Sequence, residues 1–161
     1  MPLDVKQFRE CVIRPALKAL EPEIPYSEAA ERLILGTAIQ ESGLRYLDQL
    51  APGPGPAFGL MQMERATHDD HVKWLSLKPA LALKVEALLA PTPSRIEQMA
   101  TNLLYAVAMA RIHYWRRLDG QVPSDLDGAA RAWKKAYNSN LGRGKPEQFV
   151  NNYRMHVGGN S

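Results

Sequence analysis

The chain has 161 residues, of which 45% are hydrophobic and 23% charged. This composition is typical of a globular protein and predicts one domain, residues 1–161, with room for a hydrophobic core. The net charge of +3 favours encounter with an anionic surface such as a cell-wall polymer, but it is too small to indicate nucleic acid. A single cysteine, Cys11, excludes an internal disulfide.

The N-terminal segment predicts neither a signal peptide nor a membrane span. Charges at Asp4, Lys6, Arg9 and Glu10 leave no apolar h-region, and no apolar run reaches the length needed to cross a membrane. We therefore expect a protein that is made in the cytoplasm without a signal peptide and is not inserted into a membrane.

Residues 3–20 predict an amphipathic first helix that Pro15 bends or divides. Cys11 lies among the apolar positions Phe8, Val12 and Ala16 of this pattern. A free cysteine in such surroundings behaves as a small hydrophobic residue. The pattern thus predicts a buried thiol.

Residues 27–43 predict a helix whose buried stripe ends in an acid. Ser27 suits an N-cap and Gly43 a C-terminal stop, which places Glu41 in the last turn. Partial burial and the negative end of the helix dipole both disfavour a carboxylate. We expect a raised pKa for Glu41, as a general acid requires; the alternative is a solvated surface glutamate. The stripe itself consists of Ala30, Leu33, Ile34, Thr37 and Ala38.

The rest of the chain predicts further helices and one irregular region. APGPGPA, residues 51–57, predicts a loop that crosses the surface near Glu41, within a small irregular or hairpin-like lobe over residues 46–63. The expected fold class is therefore mainly α, with at most a small β-hairpin or irregular lobe. Helices are predicted over 64–77, 79–90, 94–117, 128–137 and 147–155, with Ser94 and Asp127 as N-caps.

Three short motifs occur in order along this pattern: Glu41-Ser42, Gly59-Leu60-Met61-Gln62 and Ala136-Tyr137-Asn138. Together they resemble the motifs of the lytic transglycosylases related to the soluble lytic transglycosylase and to goose-type lysozyme. The resemblance spans residues 29–153, because QFVNNY at 148–153 is similar to the closing segment of that family. It implies a lysozyme-like helical domain that cleaves the β-1,4 bond between N-acetylmuramic acid and N-acetylglucosamine in peptidoglycan.

The resemblance also implies roles for individual residues. Glu41 matches the single catalytic acid/base, which protonates the glycosidic oxygen and then takes the proton of the muramic acid C6 hydroxyl, giving a 1,6-anhydro product. The substrate's acetamido group can replace an enzyme nucleophile, so neither a cofactor nor a metal is expected. The implied partner is the peptidoglycan glycan strand, bound by a monomer. The matching substrate-binding positions are Ser42, Gly59, Leu60, Met61, Gln62, Tyr137 and Asn138.

Each of these positions also has a structural interpretation. Ser42 suits a helix C-terminus, Leu60 is expected in the core, and Met61 either joins it there or turns its thioether to a sugar. The Tyr137 hydroxyl lies near the acid in the family, although a tyrosine on an apolar helix face is more often core. Asn140 stands where the family commonly has glycine, and the GPGPAF segment before the second motif is less regular than usual.

The sequence leaves more than one function open. A hydrolytic lysozyme (muramidase) of the inverting kind needs a second carboxylate roughly 6.5–9.5 Å from the acid. Glu64 is the first candidate, before Asp48, Asp69 and Asp70. A non-catalytic peptidoglycan-binding module and a small helical nucleic-acid-binding protein also stay open. A protein without a signal peptide that acts on the cell wall, in the periplasm, suggests a phage endolysin or a virion-associated enzyme.

Two further patterns bear on binding sites. His68 and His71 share a helix face, but zinc normally needs three or four convergent ligands, and neither His113 nor His156 is evidently paired with them. The second pattern is a set of basic residues that favours a solvated face over a polymer-binding surface. It comprises Arg111, Arg116, Arg117, Arg131, Lys134 and Lys135.

Overall fold

Helices make up most of the described structure. The computed structural model describes residues 2–47, 57–138 and 143–158. A two-stranded antiparallel hairpin pairs Ala57 with Glu64 and Phe58 with Met63, so the predicted mainly α fold with a small lobe is confirmed; residues 51–56 of the predicted loop lie outside the described residues. The elements are α1 (Val5–Phe8), π1 (Arg9–Ile13), α2 (Arg14–Ala19), α3 (Glu28–Ser42), β1 (Ala57–Phe58), β2 (Met63–Glu64), α4 (Arg65–Leu75), α5 (Pro79–Glu86), α6 (Gln98–Thr101), α7 (Leu103–Arg117), α8 (Leu126–Trp133), π2 (Lys134–Asn138) and α9 (Pro146–Val157).

The predicted first helix is continuous but contains a π-helical turn directly before α2, where Pro15 lies in the first turn. A π turn takes one residue more than an α turn, so the buried face passes from Phe8 to Ile13. Cys11 therefore leaves that face and is exposed. The prediction of a buried thiol is wrong because it assumed α-helical spacing throughout.

Glu31 anchors the start of α3 to this first helical segment. Its carboxylate is fully buried and accepts hydrogen bonds from Arg14 Nη2 at 3.0 Å, from Tyr26 Oη at 2.6 Å and from Arg9 Nε. Burial acts to raise the pKa of Glu31, but these donors outweigh it and hold the pKa below its usual value. Removing one of these partners would leave a buried charge without full compensation, which destabilises the folded state.

The helix α3 lies at the centre of the core and packs against α7, α8 and α9. α9 approaches it closely because the ring of Phe149 occupies the place where a Cβ on Gly36 would stand. Phe149 in turn packs on Trp133 of α8, with ring centroids 5.7 Å apart. One cluster of buried side chains runs from Phe8 to Tyr153. None of the helices in the described ranges is long and apolar enough to cross a membrane.

The predicted helix over 94–117 is divided at Asn102. Its predicted start at Ser94 is wrong, because α6 begins at Gln98 with Glu97 as its N-cap. The Ser94 N–H does donate to Glu97 Oε2 at 3.1 Å, but residues 95–97 form a turn before the helix. The Asn102 side chain, however, accepts from the Tyr105 N–H and donates to the Leu88 carbonyl at 2.8 Å. Asparagine competes in this way with helical backbone bonds, so Asn102 ends α6 and caps α7.

The last two helices follow the prediction with one change of cap. Asp125, and not Asp127, caps α8 by accepting the Gly128 N–H at 2.6 Å. After Trp133 the helix widens into π2. Pro146 begins α9, as expected for a residue without an N–H to satisfy.

Candidate active site

A cleft of about 400 Å³ opens beside the C-terminal end of α3. Its walls come from the hairpin with the start of α4, from α7 and from π2, so three separate parts of the chain meet at Glu41. The lining is mostly polar or charged. It consists of Glu41, Ala57, Gln62, Met63, Glu64, Thr67, His113, Arg117, Lys135, Ala136, Tyr137 and Asn138.

The local sequence places Glu41 in this cleft as predicted. Ser27 Oγ accepts the Ala30 N–H at 3.0 Å, and Gly43 ends α3 in the left-handed conformation, with φ +60°. Glu41 is partly buried, and burial raises its pKa above the usual value for glutamate. The predicted direction of the shift is therefore confirmed, and Glu41 holds its proton at a higher pH than a solvated glutamate does.

Trp133 is a site residue that lies outside the three motifs. Its indole Nε1–H donates to Glu41 Oε1 at 2.8 Å, while its ring is buried against Phe149. This hydrogen bond partly opposes the effect of burial on the Glu41 pKa. The inward position of Trp133 on α8 was visible in the helical periodicity, but the partner of its N–H was not.

The GLMQ motif forms the turn of the hairpin, and its members separate into two groups. Gly59, with φ +72°, and Gln62, with φ +48°, turn the chain, and Gln62 lines the cleft. Leu60 and Met61 are buried in the core. Leu60 is where we expected it. Of the two positions open to Met61 the structure has the core one, so the substrate-binding role implied for its thioether is wrong: the side chain is fully buried and does not line the cleft.

Tyr137 and Asn138 both line the cleft, but the tyrosine does not hydrogen-bond to the acid. Its hydroxyl donates to the Met61 carbonyl, and its ring stacks on Tyr114 with centroids 5.5 Å apart. Burial raises the pKa of Tyr137 far above its usual value, and the Glu41 charge adds to this. Tyr137 thus fastens π2 to the hairpin, and Trp133 takes the contact with Glu41 that we expected from the tyrosine. Asn140 lies outside the described residues.

The remaining motif and carboxylate positions are distributed around the cleft. The Ser42 hydroxyl is buried and donates to the Ala38 carbonyl at 2.8 Å, which is the helix-terminal role. Glu64 is exposed on the cleft wall. Asp70 pairs with Arg116 and Asp69 with His68, and neither lines the cleft; Asp48 lies outside the described residues. Among the residues that the structure describes, Glu64 is therefore the carboxylate that shares the cleft with Glu41.

His68, His71 and His113 are buried. His68 Nε2 contacts Tyr105 Oη at 2.8 Å, and His71 Nε2 contacts His113 Nδ1 at 2.9 Å. The expectation that His113 is not paired with this face is therefore wrong. Over residues 2–47, 57–138 and 143–158, no group of three or more potential ligands could hold a metal ion.

The basic residues do not form one solvated face. Arg111 is buried, with its guanidinium over the Trp115 ring, and Arg116 pairs with Asp70. Arg117 and Lys135 are exposed and line the cleft beside Glu41. The positive charge near the site is thus limited to particular side chains from α7 and π2.

Comparison of the chain with family models, with curated proteins and with solved structures gives no match. The family resemblance therefore depends on the sequence motifs alone.

Proposed function

We propose that this protein is a peptidoglycan lytic transglycosylase in which Glu41 acts as the general acid and base. The observation that carries the proposal is a partly buried glutamate with a raised pKa, held by an indole N–H at the edge of a polar cleft. An acid that stays protonated towards neutral pH is what glycosidic bond cleavage needs in its first step. The order of the three sequence motifs supplies the substrate class.

In the first step, protonated Glu41 donates its proton to the glycosidic oxygen while the bond to the muramic acid C1 breaks. The substrate's acetamido oxygen supports the positive charge at C1, so no second carboxylate is required. Glu41, now ionised, removes the proton of the C6 hydroxyl, whose oxygen bonds to C1. The products are a free 4-hydroxyl on the leaving sugar and a 1,6-anhydromuramic end, and no water is consumed.

The environment of Glu41 suits both halves of this cycle. Burial favours the neutral acid before bond cleavage, and the Trp133 N–H stabilises the carboxylate that forms afterwards. Gln62 and Asn138 line the same cleft and offer amide donors and acceptors for sugar hydroxyl and acetamido groups. Positioned proton transfer of this kind contributes about 10²–10⁴-fold in rate.

Glu64 favours a second candidate function, hydrolysis by a lysozyme (muramidase). It is an exposed carboxylate on the wall of the Glu41 cleft, where it could activate a water as the base of an inverting mechanism. Under either function the site of action is the bacterial cell wall, and delivery as a phage endolysin or virion-associated enzyme belongs to the proposal.

The test is mass spectrometry of the products from purified peptidoglycan with wild type, Glu41→Gln and Glu64→Gln. Lytic transglycosylase activity gives anhydromuramic ends that disappear in Glu41→Gln and persist in Glu64→Gln. Reducing ends that carry one added water and disappear in both variants would instead establish hydrolysis. Intact glycan with the wild type would overturn both functions and leave a binding module.

A further inference from the structure

A chain of hydrogen bonds leads from the exposed side of α4, through two buried histidines, to the wall of the cleft. Arg116 Nη1 lies 2.9 Å from Asp70 Oδ2 and 2.7 Å from His71 Nδ1. His71 Nε2 lies 2.9 Å from His113 Nδ1, and His113 Nε2 lies 2.6 Å from the Ala136 carbonyl oxygen. The chain therefore joins α4, α7 and π2.

The two ends of this chain fix the protons on both imidazoles. An arginine nitrogen can only donate, so His71 Nδ1 must accept and His71 Nε2 must carry the proton. A carbonyl can only accept, so His113 Nε2 must also carry its proton, which leaves His113 Nδ1 to accept from His71. The two requirements agree only when both histidines are neutral and both are protonated at Nε2.

We propose that His71 and His113 are positioning residues, a directed relay that holds the π2 wall of the cleft in place through the Ala136 carbonyl. This role rests on the proposed function only in that the wall positions the groups around Glu41. A histidine near a helix C-terminus commonly binds a terminal carbonyl. Here that histidine is itself oriented by a second one, and the second by Arg116.

The position of π2 affects the site through two side chains, Trp133 and Tyr137. Trp133, the residue directly before π2, donates to Glu41. Tyr137 within π2 packs edge-on against His113, with centroids 5.0 Å apart, and donates to the Met61 carbonyl of the hairpin. A displacement of π2 therefore moves the donor to Glu41 and loosens the hairpin wall together.

The surroundings keep the relay neutral. Burial, with the neighbouring His113 and the Arg116 charge, lowers the pKa of His71 to about 3. Burial lowers that of His113 to about 4, and the Arg116 and Arg117 charges add to this shift, while the Ala136 carbonyl acts against it. Asp70 is the acidic group that acts in the opposite sense on His71. Protonating either ring would set two donors against each other and break one bond of the chain.

The first test measures the imidazole nitrogens of the wild-type protein by ¹⁵N NMR. We expect His71 and His113 to be protonated at Nε2 alone and to remain neutral from pH 7 down to about pH 5. A proton on Nδ1 of either residue at pH 7 would overturn the relay. This measurement requires no variant and no substrate.

The second test compares His71→Leu, His71→Gln and His68→Leu. Leucine removes the donor to His113, whereas the glutamine amide can restore it. His68 is the matched control, because it is also buried on α4 but contacts Tyr105 and Asp69 away from the cleft. The readouts are the His113 tautomer, the Glu41 pKa by ¹³C NMR, and kcat against KM on peptidoglycan.

In His71→Leu we expect His113 to lose its single tautomer, the Glu41 pKa to change and kcat to fall about 10- to 100-fold. His71→Gln should stay close to wild type, and His68→Leu should leave all three readouts unchanged. Equal effects of His71→Leu and His68→Leu would reduce the relay to general stability and overturn the proposal. If the wild type cleaves no peptidoglycan, the proposed function fails, but the tautomer and the Glu41 pKa still decide whether the relay exists.

Discussion

Among single residues, Glu41 is the one at which the proposed chemistry conflicts with the stability of the folded protein. Its pKa is raised by burial, so the folded chain binds this proton more tightly than the unfolded chain. The free energy of unfolding therefore falls as pH rises from about 4.3, the ordinary glutamate pKa, through the folded pKa. The raised pKa on which the proposed function depends therefore lowers stability near neutral pH.

Glu41→Gln should therefore stabilise the protein at pH 7 and have little effect near pH 4, because glutamine does not titrate and still accepts from Trp133. Each pKa unit by which folding raises the Glu41 pKa corresponds to about 1.4 kcal/mol of unfolding free energy. For a chain of this size, each kcal/mol shifts Tm by about 2–4 °C. Thermal unfolding at the two pH values measures the difference. Glu64→Gln is the control, and an equal gain in it would show that the effect is not specific to the buried acid.

Trp133→Phe tests the hydrogen bond from the Trp133 indole N–H to the Glu41 carboxyl. This bond lowers the pKa of Glu41, so its loss should raise that pKa and move the alkaline limb of the activity profile to higher pH. The maximal rate should fall, since the carboxylate formed after the first proton transfer loses its donor. A limb that stays in place would mean that Trp133 contributes packing alone.

Among the elements, the hairpin depends on a glycine at a close approach of two backbones. A Cβ on Gly59 would stand 1.9 Å from the Met99 carbonyl oxygen, at a φ of +72°. Gly43 has a similar φ of +60° with nothing within 4 Å, so it isolates the conformational cost. We expect Gly43→Ala to lose about 1 kcal/mol and Gly59→Ala about 3 kcal/mol or more, measured by urea unfolding. Equal losses would mean that the hairpin does not approach α6 as closely as described.

The sequence predicted those elements whose signals are local. The cap, the apolar stripe and the stop of α3 are all within one segment, and Pro146 marks α9 in the same way. The break at Asn102 was missed because it depends on a contact with a distant residue, the Leu88 carbonyl. The π turns were missed because hydrophobic periodicity does not distinguish a single π turn from an α turn.

For the whole molecule, the positive charge beside the cleft bears on the proposed substrate, peptidoglycan. Arg117 and Lys135 line both the Glu41 cleft and an adjoining cavity of about 270 Å³, and no ion pair with either is found in the described part of the chain. Peptidoglycan carries carboxylates on its peptides. The pair is therefore suited to attract such a polymer along the two cavities.

Arg117→Gln with Lys135→Gln should raise KM about 5- to 10-fold at low salt, equivalent to about 1 kcal/mol or slightly more, and leave kcat nearly unchanged. The difference should shrink at about 1 M salt, where charges are screened within a few ångströms. The charge-matched control is Arg131→Gln with Arg154→Gln, since both residues line a separate groove. A KM that changes equally in both double variants would assign the effect to net charge.

The candidate site could be predicted at the level of its acid and its lining motifs, but not at the level of their contacts. Glu41, Gln62 and Asn138 lie in one cleft, as their order in the motifs implied. The partner of Glu41 and the burial of Met61 depend on how α8 and the hairpin meet α3. That meeting is a property of the packed core, which no single segment specifies.

The buried Glu31 at the other end of α3 gives the helix two acids of opposite behaviour. Glu31 has a lowered pKa, so its contribution to stability is present above about pH 4.3 and is lost as pH falls through its folded pKa. Glu41 has a raised pKa, so its proton is lost as pH rises. One helix thus carries two pH-dependent groups: acid weakens the attachment of α3 to the first helix, and alkali removes the proton that the proposed reaction uses.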